Sequence, residues 1–215
     1  IFSIKKIADH KNYYKYEFIY DFEKINFQKF DGILICTPTS FHIKYVNLLI
    51  KYKIPIFIEK PISHNMQGLK KIYAQENINK FKFMIGFNFR YHPQLIFIKK
   101  IIKKNVLGKI FFCNIWWNDD LEAWYPNDRY KNNYSSSLKL GGGVLRTMCH
   151  EIDLMLWLFG KPIKSTGNLA NYSNLELNNV EDYFEGEFLF PKKLICKLQM
   201  NFFTKVPQRG LTINA

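Results

Sequence analysis

Short apolar segments alternate with amphipathic ones through the first half of the chain, and this alternation constrains the fold more than any other feature. The apolar segments are "ILIC" at residues 33–36, "IPIFIEKP" at 54–61 and "KFMIGFNFR" at 82–90. They are too short for buried helices and are rich in β-branched and aromatic residues. Apolar residues recur at helical spacing in residues 42–53, 65–77 and 93–105. Strands that alternate with helices predict a parallel sheet covered on both faces, a doubly wound α/β domain.

From about residue 108 the pattern changes to one strand after another. A β-like run covers residues 109–119, and a polar, aromatic loop covers 124–140. Three glycines then lead into an apolar helix that ends at Gly160. The later strand-like segments are residues 180–190, 193–203 and 210 onward, with "PKK" at 191–193 as a hairpin turn. This half predicts an α+β domain with a large, mostly antiparallel sheet, so we place the two domains at residues 1–88 and 89–215.

The composition narrows the possible functions. The chain has 215 residues and a formal net charge of +13, but its lysines are scattered, so an anionic ligand or a lysine-rich proteome explains the charge as well as nucleic acid does. No segment is apolar enough along its length to predict a bilayer span. Cys36, Cys113, Cys149 and Cys196 form no C-x-x-C pair. This spacing disfavours structural zinc and favours buried, reduced thiols in a cytoplasmic protein.

Polar residues follow each of the three predicted parallel strands, at the edge where open α/β sheets bind ligands. In chain order these residues are Thr37, Pro38, Thr39 and His42, then Glu59 and Lys60, then Asn88 and Arg90. Thr37 offers a hydroxyl to a ribose or phosphate, Lys60 offers a cation, and Glu59 can orient that cation or hold a ribose hydroxyl. Taken singly, each has a plainer interpretation: a solvated turn, a helix-start histidine, or an arginine paired with a surface carboxylate. Three strand ends with this character together favour a ligand site.

At this point several motifs resemble one family. "ILICTPTSFH", "IFIEKP", "GFNFRYHP" and "GGG" followed by "HEIDLMLWLFG" occur in the order found in the Gfo/Idh/MocA oxidoreductases. The resemblance implies a Rossmann-like domain that binds NAD or NADP, followed by a mostly antiparallel sheet domain through which two copies pair. It implies hydride transfer between a nicotinamide and a carbon of a sugar or polyol. The chain also resembles members linked to surface-sugar and nonulosonic-acid metabolism.

The resemblance implies a role for individual residues. Lys60 is then a catalytic residue near both nicotinamide and substrate, and His150 stands across the pocket as an acid or base. The cofactor side is lined by Thr37, Pro38, Thr39, His42, Glu59 and Asn88, with Arg90 near the substrate. From the residues alone, His150 follows a glycine run and opens an apolar helix, whose core side chains we expect to be Leu154, Leu156, Trp157 and Leu158. A satisfied histidine at a helix start, and Asp153 as a structural group in the first turn, are the plainer interpretations.

Further substrate contacts are predicted in the loop and in the segment before His150. Trp124 and Tyr125 can stack on sugar faces, while Arg129, Lys131 and Tyr134 can bind hydroxyls or a carboxylate. A mobile surface loop is the alternative. Relatives carry an acid a few residues before the histidine, where this chain has Arg146 and Thr147. We interpret Arg146 as a possible anchor for an anionic sugar.

Two features depart from the family pattern. No G-x-G-x-x-G occurs, so we expect that the first strand and glycine-rich loop lie outside this chain and that it is truncated at both ends. The acid that would tune His150 is replaced. The leading hypothesis is therefore a sugar or polyol oxidoreductase, the second is a non-catalytic sugar-binding or scaffolding relative, and the third, from charge alone, is a nucleic-acid binder.

Overall fold

The computed structural model describes residue 19 and residues 21–74, 82–127 and 129–215. The helices and strands are β1 (Ile33–Ile35), α1 (Thr39–Leu49), β2 (Ile56–Ile58), α2 (Met66–Tyr73), β3 (Phe83–Ile85), α3 (Pro93–Lys103), β4 (Phe112–Asp120), α4 (Leu121–Trp124), α5 (Val144–Thr147), α6 (His150–Phe159), β5 (Lys164–Ala170), β6 (Tyr183–Leu189), β7 (Ile195–Asn201) and β8 (Phe203–Asn214). In the described part of the chain, no helix is both long and apolar enough to cross a membrane.

The first sheet is parallel, as predicted, with the strand order β1-β2-β3. Ile35 and Ile58 point to one face, where they are buried against Val46 of α1 and Ile72 of α2. The sheet therefore has its core on the helix side. The carboxyl ends of its strands lie side by side, which brings the residues that follow them to one edge.

Several element boundaries differ from the predicted ones. The helix predicted to start at residue 42 begins at Thr39, because Pro38 has φ fixed at −54° and the chain turns helical directly after it. The strand predicted for 82–90 is confined to β3, since residues Asn88–Tyr91 form a 3₁₀ turn. The helix predicted for 65–77 is described only as far as Tyr73 and its cap, and residues 75–77 lie outside the described part. The expectation about the start of the chain also falls on undescribed residues.

The second sheet has the order β5-β6-β7-β4-β8 and is antiparallel except for the β4–β7 pair. This confirms the predicted α+β half with a mostly antiparallel sheet. α5 and α6 cover one face, where Met148 and Met155 join Ile115 and Leu198 in a dry core. The other face of the sheet is open.

Three local predictions need correction, two of them in this half. β5 was missed because it is an edge strand whose side chains are almost all exposed, so it lacks the apolar alternation that marks a strand. Leu156 is 40% exposed and is not core, unlike Leu154 and Leu158. Cys36 is exposed, so only the other three cysteines are buried thiols. The predicted hairpin turn at Pro191–Lys193 is confirmed.

Contacts between the two halves run from the turn after β3 and from α3 to α6. Arg90 donates two hydrogen bonds to the carboxylate of Asp153, from Nε at 2.9 Å and from Nη2 at 2.6 Å. Lys99 donates to the Trp157 carbonyl at 2.8 Å while its ammonium lies 4.3 Å from the indole centroid. These bonds hold α6 against the end of the parallel sheet near both ends of the helix, at Asp153 and at Trp157. The predicted domain boundary, between residues 88 and 89, falls inside the 3₁₀ turn.

Candidate active site

Lys60 reaches from the end of β2 to the other half of the molecule. Its peptide bond to Pro61 is cis. Its Nζ donates a hydrogen bond to the backbone oxygen of Thr147 at 2.7 Å, and its backbone N–H donates to Glu59 Oε2 at 3.2 Å. Because an ammonium carries three hydrogens, the bond to Thr147 leaves two available to a ligand.

His150 is the first residue of α6 and is 9% exposed. Its ring stacks on Phe89 with centroids 5.0 Å apart and meets Phe87 edge-on at 6.0 Å. Burial lowers the pKa of His150 to about 4, with further lowering by the positive charges of Lys60 and Arg209. The ring is therefore neutral at pH 7. Nδ1 is buried and has no hydrogen-bond partner in the described structure, so Nε2 is the nitrogen open to a ligand.

Buried polar atoms without partners collect around these two residues. Within the described residues they include Thr37 Oγ1, Ser136 Oγ, Thr147 Oγ1, His150 Nδ1 and Glu151 Oε2. Folded proteins leave few such atoms, and each one points to a missing ligand or water. Thr37 follows β1, and its Oγ1 is buried without a hydrogen-bond partner. It therefore lies at the sheet edge where doubly wound folds bind dinucleotides. The residues present fit a nicotinamide cofactor at this edge.

Tyr125 and Tyr134 line the site from the loop between β4 and α5. Burial raises the pKa of both, and neighbouring Ser135 offsets part of each rise. Lys60 also lowers the pKa of Tyr125, whereas the negative charge of Glu59 raises the pKa of Tyr134 further. These pairings place both phenols near the Lys60 side of the site. Burial raises the pKa of Cys149 itself to about 12, so this thiol stays protonated.

The remaining candidates on the cofactor side differ in how accessible their side chains are to a ligand. His42 is buried, with Nδ1 2.9 Å from the Pro61 carbonyl and Nε2 2.8 Å from the Thr37 carbonyl, so it ties the two strand-end turns together. Thr39 is buried inside α1 against Gly141. Asn88 is exposed at the sheet edge, and Pro38 is half-buried before α1. Of these, Asn88 is the side chain most open to a ligand.

The structure separates the predicted substrate residues into two groups. Tyr134 and Thr147 lie at the Lys60 end, although Thr147 contributes its carbonyl rather than its hydroxyl. The others have protein partners: Arg90 with Asp153, Trp124 with Trp117 and Phe202, Lys131 with Glu176, and Arg146 with the Gly142 carbonyl. Their roles in substrate binding stay predictions.

Sequence reasoning missed Arg209 on β8 and Glu151 on α6. Arg209 Nε donates to Glu151 Oε1 at 2.7 Å, and Glu151 is 1% exposed. The carbon of the guanidinium lies 3.6 Å from the Trp117 ring centroid and 4.3 Å from that of Phe89. No local motif marks this cluster, because its members come from four separate segments. The one available signal was a charged residue inside an otherwise strand-like tail.

Two known protein-domain families match the chain. Residues 3–87 match the oxidoreductase family with an NAD-binding Rossmann fold, and residues 96–214 match the GFO/IDH/MocA C-terminal domain. The chain belongs to the Gfo/Idh/MocA family. The family resemblance predicted from the motifs is thereby confirmed, and with it an NAD-binding Rossmann fold in the N-terminal half.

Individual relatives are distant and longer. Inositol 2-dehydrogenase of Rhizobium meliloti (strain 1021) is 27% identical over 155 residues, which cover 71% of this chain and 44% of that protein. 2,7-Anhydro-N-acetylneuraminate hydratase of Escherichia coli (strain K12) is 24% identical over 188 residues, covering 86% and 49%. Levoglucosan dehydrogenase in complex with NADH and levoglucosan superposes with a TM-score of 0.80 at 19% identity, over 92% of this chain and 55% of that one. The chain thus spans about half the length of the relatives it matches.

The ionisation of His150 gives a first test of the site. Its folded-state pKa of about 4 lies below the ordinary 6.5, so the unfolded chain binds this proton more readily than the folded one. The stability that neutral His150 contributes is present above pH 6.5 and is lost as the pH falls from there through 4. Lys60→Met is expected to raise the pKa, because it removes a charge that disfavours the imidazolium.

The measurement is an NMR titration of the imidazole C–H signals, with His150→Asn to assign the resonance. The signal of the unsubstituted protein should move at a pH well below the ordinary value of 6.5. A midpoint at the ordinary value, or one unchanged by Lys60→Met, would contradict this electrostatic description.

Proposed function

We propose that the protein is an oxidoreductase that transfers hydride between NAD or NADP and a carbon of a sugar, sugar nucleotide or polyol. The observation that supports this best is the meeting of Lys60 and His150 across the two halves, with unpartnered polar atoms around them. Family membership and dehydrogenase relatives named for inositol and levoglucosan support the same reaction class.

Lys60 and His150 divide the work on the substrate oxygen. The Nζ of Lys60, held by the Thr147 carbonyl, donates a hydrogen bond to the oxygen and stabilises negative charge as it develops there. Neutral His150 accepts the hydroxyl proton at Nε2, or returns it when the reaction runs as a reduction. The substrate carbon loses a hydride in the oxidation and gains one in the reduction, so protons and electrons balance in both directions. Phe87 and Phe89 exclude water from one side of the imidazole.

Four residues at the parallel sheet edge would hold the cofactor. Thr37 offers its orphaned hydroxyl, Pro38 shapes the turn, Glu59 accepts hydrogen bonds, and Asn88 is exposed beyond β3. When bound, a nicotinamide supplies the hydride acceptor or donor. The orphaned hydroxyl of Thr37 is the feature of this chain that a ribose or phosphate oxygen would satisfy.

The test is a cofactor titration followed by an activity screen. NADH and NADPH are titrated into the full-length protein by nicotinamide fluorescence, and reduction of NAD⁺ and NADP⁺ is then followed by absorbance with inositols, anhydro-sugars, hexoses and hexuronates. We expect saturable cofactor binding and turnover with at least one polyhydroxylated substrate. Binding of neither cofactor would overturn the proposal.

A second candidate, a non-catalytic sugar-binding relative, has one observation in its favour. His150 has no hydrogen bond to a carboxylate in the described structure, and the preceding residues Arg146 and Thr147 supply none. Sugars that bind without any nicotinamide turnover would favour this candidate over the enzyme.

The open face of the second sheet supports a homo-oligomer. It forms a shallow cavity of about 960 Å³ lined by residues such as Trp116, Glu185, Lys197 and Gln199. We propose that two copies pair through this face, and that the protein acts in the cytoplasm without nucleic-acid or membrane partners. Light scattering after size exclusion tests the pairing, and Gln199→Arg should weaken it if the face is the interface.

A further inference from the structure

Arg209 is fixed on three sides by the protein. The rings of Trp117 and Phe89 hold the guanidinium from two directions, at 3.6 and 4.3 Å from their centroids. The Nε edge is taken by the buried carboxylate of Glu151 at 2.7 Å. A guanidinium fixed in this way loses little further entropy when it binds a ligand.

The fourth side of Arg209 is free. Its two terminal nitrogens make no hydrogen bond to any residue that the structure describes, and the side chain is 34% exposed. The two Nη–H groups at the end of a guanidinium can donate side by side to the two oxygens of one carboxylate. Trp117 and Arg209 are paired across β4 and β8, on the side of the sheet that α6 covers.

Arg209 lies close to His150. Phe89 stacks on the His150 ring at 5.0 Å and also contacts the guanidinium, so a single ring separates the two groups. The positive charge of Arg209 contributes to the lowered pKa of His150, which also requires proximity. A ligand held by Lys60 and His150 therefore lies within reach of the charge on Arg209.

We propose that Arg209 determines substrate specificity by binding a carboxylate, and that the preferred substrates are sugar acids rather than neutral sugars or polyols. This inference rests on the proposed function, because it names the substrate class of that site. The negative charge of Glu151 beside Arg209 favours a carboxylate ligand over a phosphate dianion. Glu151, held by Arg209, repels a second negative charge on the ligand more than a single one.

The experiment measures binding by calorimetry in the full-length protein. The probes are D-glucuronate with D-glucose, D-galacturonate with D-galactose, and glucose 6-phosphate. We expect each uronate to bind at least about 10-fold more tightly than its neutral counterpart, as a charge-assisted bidentate contact provides. Arg209→Met should remove most of that preference, while Arg209→Lys, which keeps the charge and loses the fork, should remove part of it.

A double variant and a control variant separate loss of carboxylate binding from loss of stability and from a general charge effect. Arg209→Met leaves the Glu151 charge buried without a partner, so the double variant Glu151→Gln/Arg209→Met serves where the single variant is unstable. Lys205→Met is the matched control, because it also removes one positive charge from β8, from an exposed ammonium paired with Glu122 and Asp120. The control should keep the uronate preference.

Three outcomes would overturn the proposal: no uronate binding by the unsubstituted protein, an equal preference in Arg209→Met, or tighter binding of glucose 6-phosphate than of the uronates. Failure of the proposed function looks different. A protein that binds uronates through Arg209 but neither cofactor fails only as an oxidoreductase, whereas one that turns over sugars with a nicotinamide but gives any of those three outcomes fails only in the role of Arg209.

Discussion

Lys60→Met is expected to lower kcat by about 10²- to 10³-fold, the range for removing one donor that stabilises charge developing on an oxygen. The methionine is close to lysine in length but cannot donate to the Thr147 carbonyl or to a substrate oxygen. Because Lys60 acts on the oxygen that changes charge in the reaction, the loss should appear in kcat more than in KM. Steady-state rates of nicotinamide reduction, measured with the substrate found in the screen, test this.

The control for Lys60 is Lys70→Met, which removes an exposed ammonium from α2. Its rate should stay within a factor of about two of the unsubstituted protein, since surface substitutions rarely disturb a site. Circular dichroism and cofactor titration should show the same fold and affinity in both variants. A Lys60→Met protein with a normal kcat would exclude Lys60 from the chemistry.

Gly142→Ala is expected to destabilise the protein by about 3 kcal/mol or more, the upper range for overpacking a buried position. A Cβ at this position would collide with the carbonyl oxygens of Tyr134 and Ser135, and backbone cannot move aside as a flexible side chain does. The melting temperature should fall by roughly 6–12 °C for a chain of this size. The variant should also lose activity, because Gly142 lies in the turn that leads to Thr147.

Gly32→Ala is the matched glycine control. Its added Cβ would meet only the Pro55 carbonyl oxygen, at an ordinary 3.7 Å. Thermal and urea unfolding of the two variants compare them directly, and Gly32→Ala should unfold close to the unsubstituted protein. Equal melting temperatures for both variants would mean that the segment around Tyr134 relaxes more easily than its packing indicates.

The fold was predictable where side-chain patterns are strong. The runs that became β1, β2 and β3 are apolar because one face of the parallel sheet packs on α1 and α2, although Leu34 and Met84 on the other face are exposed. α6 is apolar because it lies over the second sheet. β5 was not predicted, because an edge strand with exposed side chains has no apolar alternation in its sequence. Helix boundaries shifted by a few residues, since capping depends on backbone angles that the pattern does not contain.

The site was predictable only in its local parts. The strand-end pattern singled out Lys60, and the family resemblance, with the glycine run before the helix, singled out His150; these are features of neighbouring residues. Arg209 contacts Glu151 across 58 residues of chain, and no periodicity reports on such a distance. The register that pairs Trp117 with Arg209 is a property of the folded sheet, so the contact could be found only there.

The ammonium of Lys60 is held by a carbonyl, and a carbonyl is present whatever side chain stands at position 147. A point mutation at that position changes the hydroxyl but cannot delete the acceptor. The anchor can be lost only by displacing the main chain, and the glycine turn before it resists displacement because its neighbours leave no room for a Cβ. Position 147 can therefore vary in evolution without releasing the lysine, whereas the glycines before it cannot.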